Sequence, residues 1–317
     1  DNSAQAPLPT EEKEAPQFEL SVVPGDAEVE KGSRLIVEAK FAKNVPESAR
    51  IIVRDDKGVE RELAMRLTVD QQVFGGMIVG IDRDSQYRVE FDSGHSEDYK
   101  ITTFVHPELE RADAKVTPPD YTGLPAKEIR NTLKVSAMEG SEVAFQFKVN
   151  KPISEAELFG EDKSIISLKA RADDPTILEA AMKPDKSQRY RLHLVDEKDR
   201  SNKQPPWITV NMQLNQLPKI EVAFPKRNVQ VSSIQELPVE AKVWDDLGVN
   251  RSGAVFSLAG KSREIMLSSR PLKAAKKHDV KALYELEPES AEPRQLVSYY
   301  FWAEDHGLKG EVRRAMS

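Results

Sequence analysis

Residues 190–212 read YRLHLVDEKDRSNKQPPWITVNM. Tyr190, Leu192 and Leu194 alternate with Arg191, His193 and Val195, a period of two that turns one set toward a core and the other outward. A polar, turn-forming stretch follows, and then a second apolar run, Trp207–Met212. The expected unit is a strand, a hairpin and a returning strand. The same layout recurs in YRVEFDSGHSEDYKITTF (87–104) and YYFWAEDHGLKGEV (299–312), and the leading tyrosines Tyr87, Tyr190 and Tyr299 stand 103 and 109 residues apart. The chain therefore repeats itself at a period of one small β-domain. A tyrosine that opens this strand and ties its hydroxyl to nearby backbone resembles the tyrosine corner of immunoglobulin-type sandwiches.

Outward from these hairpins, each repeat opens on a strand that runs into proline: LSVVP (20–24), AKVTP (114–118) and IEVAFP (220–225). EKGSRLIVEAKF (30–41) and MEGSEVAFQFKV (138–149) then match in spacing, with Gly-Ser at the turn, and SSIQELPVEAKV (232–243) keeps the strand without it. Other alternating segments lie at Arg50–Arg54, Tyr99–Phe104, Glu155–Phe159 and Gly253–Leu258. Many short strands punctuated by turn residues predict an all-β chain of tandem immunoglobulin-like, fibronectin-III-like sandwiches. The expected division is a linker at 1–17, then sandwiches at 18–107, 108–215 and 216–317, the last stopping within or just after its final strand. Short junctions at Val105–Glu110 and Asn215–Pro218 lead to the expectation of an extended, semi-rigid rod. Short helices are expected only at Asp174–Met182 and Leu272–Lys281, and Gly75-Gly76 reads as a turn or bulge.

Composition narrows the function. The chain has 46 basic and 53 acidic residues, a net charge of −7 and no cysteine. Without cysteine there are no disulfides, thiolate metal sites or thiol nucleophiles; the compartment is left open. The charges are mixed, so the basic surface that nucleic-acid binding needs is missing. No apolar run approaches the roughly 18 residues of a membrane helix, and an anchor is expected outside this segment.

PPDYTGLP (118–125), WDDLGVNRSGAVFSL (244–258) and the Tyr-initiated strand YYFWAEDHGLKG (299–310) resemble repeats of large bacterial membrane-anchored envelope proteins of unknown function, in which transmembrane helices precede immunoglobulin-like domains. The first repeat has neither the YTG nor the DDxG motif. The resemblance implies an extracytoplasmic location, in the periplasm or at the cell surface, with tethering by flanking sequence. It supplies no catalytic residues.

Each chemical candidate has a plainer reading. The Tyr-Thr-Gly turn is expected to be a rigid element with Tyr121 packed over a sandwich end. Asp245, Asp246 and Asp305 are the candidates for calcium, which takes six to eight oxygens; no EF-hand spacing supports them, and Asp-Asp-Leu-Gly is ordinary turn chemistry. The histidines His95, His106, His193, His278 and His306 lack metal-ligand spacing, and no nucleophile-elbow or phosphate-loop motif occurs. Trp207, Trp244 and Trp302 are expected to pack in cores, with a sugar-stacking platform as the alternative. The lysine-rich run KAAKKHDVK (273–281) reads as a solvated loop, with contact to an anionic polymer or lipid surface as the alternative. The expected function is a non-catalytic scaffold or spacer that pairs with envelope proteins. The runner-up is a carbohydrate- or peptidoglycan-binding module, or accessory domains of a larger envelope enzyme.

Overall fold

Alternation of apolar and polar residues becomes strand throughout a computed structural model that describes residues 18–92, 94–289 and 291–317; the linker expected at 1–17 lies outside the described residues. Apart from two three-residue 3-10 turns, Asp120–Thr122 and Glu287–Glu289, the regular structure of the described residues is β. No helix among them is long and apolar enough to cross a membrane. The strands form six sheets around three separate apolar cores. The chain is a tandem of immunoglobulin-like sandwiches, and it divides between His106 and Pro107 into two compact units, the second holding two of the three sandwiches.

In the first unit, Glu19–Val23, Ser33–Lys43, Val73–Ile81 and Arg66–Leu67 form one sheet, and Ala27–Glu30, Tyr99–Phe104, Ser85–Phe91, Ala49–Asp55 and Glu60–Ala64 the other. Leu35, Val37, Ala39 and Phe41 point inward from one strand while their neighbours are exposed. Phe41 sits at the centre of an edge-to-face aromatic group, with ring centroids 6.2 Å from Phe18, 5.9 Å from Phe74 and 5.1 Å from Phe91. The Gly75-Gly76 turn or bulge is corrected here: both residues lie inside Val73–Ile81, paired regularly with Glu38 and Val37. A Cβ on Gly76 would come within 2.6 Å of Ile51 Cδ1 and 3.1 Å of Met65 Cγ, so the glycine serves the approach of the two sheets. Gly76→Val is expected to cost this unit about 1–3 kcal/mol through overpacking, read from the urea midpoint of unfolding.

In the second sandwich, Leu109–Thr117, Glu142–Val149 and Ile177–Met182 face Trp207–Gln213, Gln188–Val195 and Glu155–Gly160. The third pairs Lys219–Phe224, Glu236–Trp244 and His278–Glu285 in one sheet, and Lys261–Ser268, Arg251–Leu258, Val297–His306 and Val312–Met316 in the other. The first two sandwiches each carry a short strand parallel to their last one, Ala27–Glu30 beside Tyr99–Phe104 and Lys134–Met138 beside Trp207–Gln213. Among the described residues the third has no such pair.

Both expected helices are overturned. Ile177–Met182 is a strand bonded to Glu142–Val149, and Leu178, Ala180 and Met182 fill the core at alternate positions. Residues 273–277 form a loop, and a strand begins at His278 that buries Val280, Ala282 and Tyr284. Leu, Ala, Glu and Lys favour helix locally, but burying an alternating face against a sheet outweighs a few tenths of a kcal/mol of propensity per residue. The tyrosine corner also differs from expectation. Tyr87 donates to the Gly25 carbonyl at 2.8 Å and Tyr299 to the Pro225 carbonyl at 3.2 Å, so each hydroxyl reaches the turn after the first strand of its own sandwich rather than nearby backbone. Burial pushes the Tyr87 hydroxyl up to about 12. Among the described residues Tyr190 makes no matching bond.

Candidate functional site

The segments that stand out in the sequence meet at one place, the joint between the second and third sandwiches. From the second come the Tyr-Thr-Gly turn and the Glu139-Gly140-Ser141 turn. From the third come the Asp245–Gly248 turn and the hairpin that follows Asp305. The connecting residues Asn215 and Gln216 run between them.

Local chemistry shapes each part. Pro119 leads into the 3-10 turn Asp120–Thr122, which Gly123 ends in the left-handed region at φ 62°. Thr122 Oγ1 donates to the Pro119 carbonyl at 2.8 Å and accepts the Leu124 amide at 3.2 Å. Tyr121 is half-buried and donates to the Glu139 carbonyl at 3.0 Å, which fastens this turn to the next one. A Cβ on Gly140 would fall 2.1 Å from Leu308 Cδ1 and 3.5 Å from Pro119 Cγ. Leu308, on the third sandwich's hairpin, thus lies against Gly140, whose φ of 82° favours glycine.

Arg313 holds the connection electrostatically. Its guanidinium forms a two-point ion pair with Asp305, with Nε 3.1 Å from Oδ1 and a second contact to Oδ2. It also donates to the carbonyls of Asn215 at 3.1 Å and Gln216 at 3.0 Å. Asn215 Nδ2 in turn donates to the His306 carbonyl at 2.9 Å. The Asp305 side chain is 2% exposed and that of Arg313 24%. Hydrogen bonding to Asp305 raises the Arg313 guanidinium above its ordinary range, so it stays charged. One cation ties a buried carboxylate to two connector carbonyls, the fork geometry that arginine provides and lysine does not.

The three calcium candidates are placed as follows. Asp305 has both oxygens on Arg313. Asp245 Oδ2 accepts the Leu247 and Gly248 amides at 2.9 and 3.0 Å, and Asp246 is exposed beside it. Asp245 is 3% exposed, and its Oδ1 has no hydrogen-bond partner among the described residues. Burial, with the charges of Asp246 and Asp305 adding to it, pushes the Asp245 carboxyl up to about 6. Among the described residues no three His, Asp or Glu side chains converge in a metal-holding arrangement.

Asp196 occupies the position in the second sandwich's hairpin that Asp305 holds in the third, six residues after the leading tyrosine. Its carboxyl is buried, which opposes ionisation. Lys151 at 2.5 Å and the amides of Lys198 and Arg200 more than offset that and hold it at about 2. The two buried aspartates therefore sit in similar slots, and the cation of Asp305 also reaches the connector.

The expected core packing is corrected for Trp207 and Trp244, which are part-exposed, whereas Trp302 is buried as expected. None belongs to an inter-sheet core. All three lie on outer sheet faces, each under a cation: Arg189 and Arg191 at 4.4 and 4.9 Å from the Trp207 ring, Lys277 at 4.1 Å from Trp244, and Arg314 at 4.0 Å from Trp302. Trp302 is 1% exposed because its ring lies over Gly253, under Arg314. Beside it, Glu304 is clasped by Arg251 and Arg314 at 2.8 and 2.6 Å. Of the lysine-rich run, Lys277 also pairs with Glu221 and Lys281 with Glu240.

A groove of about 940 Å³ opens at the end of the third sandwich away from the joint, where Val222, Leu237, Leu286, Val297 and Tyr299 meet the 226–233 loop. The charged side chains that line it, Lys226, Arg227, Glu292 and Arg294, belong to its surface loops.

Sequence reasoning singled out the Tyr-Thr-Gly, Glu-Gly-Ser and Asp-Asp-Leu-Gly turns and the Asp305 hairpin, but not that they converge. Asn215, Leu308 and Arg313 were missed. Their one signal is position: Asn215 lies at a proline-flanked junction, and the other two lie just after the Tyr-initiated strand. No family model matches the chain, and no curated protein matches it. Among solved structures, the I9–I11 tandem of titin is similar at 11% identity, over 94% of this chain and 98% of that one, with a TM-score of 0.27.

Proposed function

We propose that residues 107–317 form a stiff, non-catalytic two-sandwich spacer, part of an extracytoplasmic scaffold that presents its sheet edges and loops to envelope proteins. The observation that carries this reading is the use to which the motif residues are put. Tyr121, Gly140, Asp305 and the connector carbonyls serve the joint, and none of them lines the large groove. Conserving orientation across a short connector is what a spacer requires. The envelope location comes from the family resemblance. Protein partners fit the exposed strand edges, where main-chain pairing is available. The carbohydrate reading is disfavoured because a sugar stacking on any of the three tryptophans would first displace the cation over its ring.

The absence of cysteine makes the test direct. Spin labels at Glu128→Cys and Lys261→Cys, both exposed positions, report the distance between the two sandwiches. A single narrow distance distribution is expected, broadening when Arg313→Ala and Leu308→Ser are combined. An equally broad distribution with and without those two changes would sink the spacer reading. Crosslinked capture from solubilised envelope, followed by mass spectrometry, tests the partner class: recovery of glycan without protein would favour the carbohydrate-binding alternative.

A further inference from the structure

The joint holds two buried carboxylates and one guanidinium. Arg313 is committed to Asp305 and to the carbonyls of Asn215 and Gln216. Asp245 is as deeply buried as Asp305 and has two backbone amides on one oxygen and, among the described residues, no partner on the other. An ionised carboxylate in that setting leaves a buried anionic oxygen without a donor, which costs far more than a neutral carboxyl in the same place.

The groups that face Asp245 are few. Asp246 adjoins it in its own turn, Asp305 faces it from Val297–His306 and Arg313 from Val312–Met316. Tyr121, in the neighbouring turn of the second sandwich, feels Asp246, Asp305 and Arg313. The 272–277 loop packs on the turn through the Ala275 amide, 2.7 Å from the Asp245 carbonyl, and brings Lys273, Lys276 and Lys277 nearby, with His278 bonded to the Lys273 carbonyl. Lys277 is engaged by Glu221 and Trp244. Two carboxylates thus accompany Asp245, and the cation that faces it is already in use.

We infer that the joint is a pH-responsive coupling, locked while the Asp245 carboxyl is neutral and slackened when it ionises. The inference rests on the stiff-joint reading above. Ionised Asp245 competes with Asp305 for Arg313 or draws water into the joint, and either outcome weakens the clamp on the Asn215 and Gln216 carbonyls. The direction follows from linkage. The folded carboxyl titrates near 6 against an ordinary value of 3.8. The stabilisation from its neutral form is complete below the ordinary value and is lost as pH rises through about 6. Between pH 5.0 and 7.5 the population of slackened joints should rise about tenfold.

The label pair at Glu128→Cys and Lys261→Cys tests this on the full chain. The distance distribution should be narrow at pH 5.0 and broader at pH 7.5, with a midpoint near 6, and Asp245→Asn should keep it narrow at both. A width that does not change with pH, or a pH dependence that survives in Asp245→Asn, overturns the inference. If Asp245→Asn does not fold, the carboxyl-carbon NMR titration of Asp245 in the unsubstituted chain decides: a midpoint near 6 supports the inference, and one near the ordinary value overturns it. A width that responds to Arg313→Ala with Leu308→Ser but not to pH overturns the pH response alone, whereas a width that ignores those substitutions overturns the stiff joint itself.

Discussion

Asp305→Ala is expected to destabilise the second unit by about 3–5 kcal/mol, the range for removing one member of a desolvated ion pair. The Asp305 side chain is 2% exposed and that of Arg313 24%, so the carboxylate is shielded from water and hydration makes good only part of what Arg313 loses. Arg313 would keep the two connector carbonyls but lose its countercharge. The substitution has a second consequence that a purely structural change would not produce. With Asp305 gone, Asp245 loses a like-charge neighbour and becomes the carboxylate facing Arg313, so its titration midpoint should fall from about 6 toward the ordinary carboxylate value. Urea unfolding at neutral pH reads the first effect and the carboxyl-carbon titration the second. The costs of Asp305→Ala and Asp245→Asn should therefore be non-additive in a double-mutant cycle. A loss under 1 kcal/mol, typical of exposed pairs, would contradict the burial of this one.

Phe256→Ala is expected to cost a similar amount, about 3–5 kcal/mol, as a large-to-small change in a packed core. Phe256 is fully buried. Its ring stacks on Tyr284 with centroids 4.2 Å apart and planes 2° from parallel, and it lies 5.8 Å from Tyr299. The cavity cannot collapse easily, because Tyr299 is also held by its bond to Pro225. The first sandwich has its own core in a separate compact unit. Thermal unfolding followed by calorimetry should show the transition of residues 107–317 moved down and that of the first unit left in place. One transition shifting as a whole would mean that the two units unfold together.

The Asp305–Arg313 pair is local, but the connector carbonyls it holds and the rings around Phe256 are far away in the chain, and this is where the sequence is least legible. The strand Gln188–Val195 is readable from Tyr190, Leu192 and Leu194 alone, because the alternation of buried and exposed positions is a local property of extended backbone. The strand Ile177–Met182 is not. Its Leu, Glu and Ala residues favour helix, and only its place between Glu142–Val149 and Lys169–Ala170 makes it a strand. Gly76 is ambiguous in the same way: a Gly-Gly pair signals a turn until Ile51 and Met65 are brought against it. Trp302 was expected inside on hydrophobicity, yet its even-numbered place in Val297–His306 puts it on the outer face, where Gly253 and Arg314 bury it.

The candidate site divides along the same line. The Tyr-Thr-Gly, Glu-Gly-Ser and Asp-Asp-Leu-Gly turns were visible as local conformations, because glycine and proline restrict or release the backbone wherever they occur. That Leu308 seats on Gly140 and that Arg313 joins Asp305 to the Asn215 carbonyl was not visible, since these contacts span about 170 and 100 residues. The sequence by itself determined the all-β class, the repeat, the faces of most strands and the turns. The tertiary structure alone decided which turns meet, which aspartate has a cation and which is buried without one. The physical reason is that strand period and turn chemistry are written in neighbouring residues, whereas desolvation and charge pairing depend on what the fold brings close.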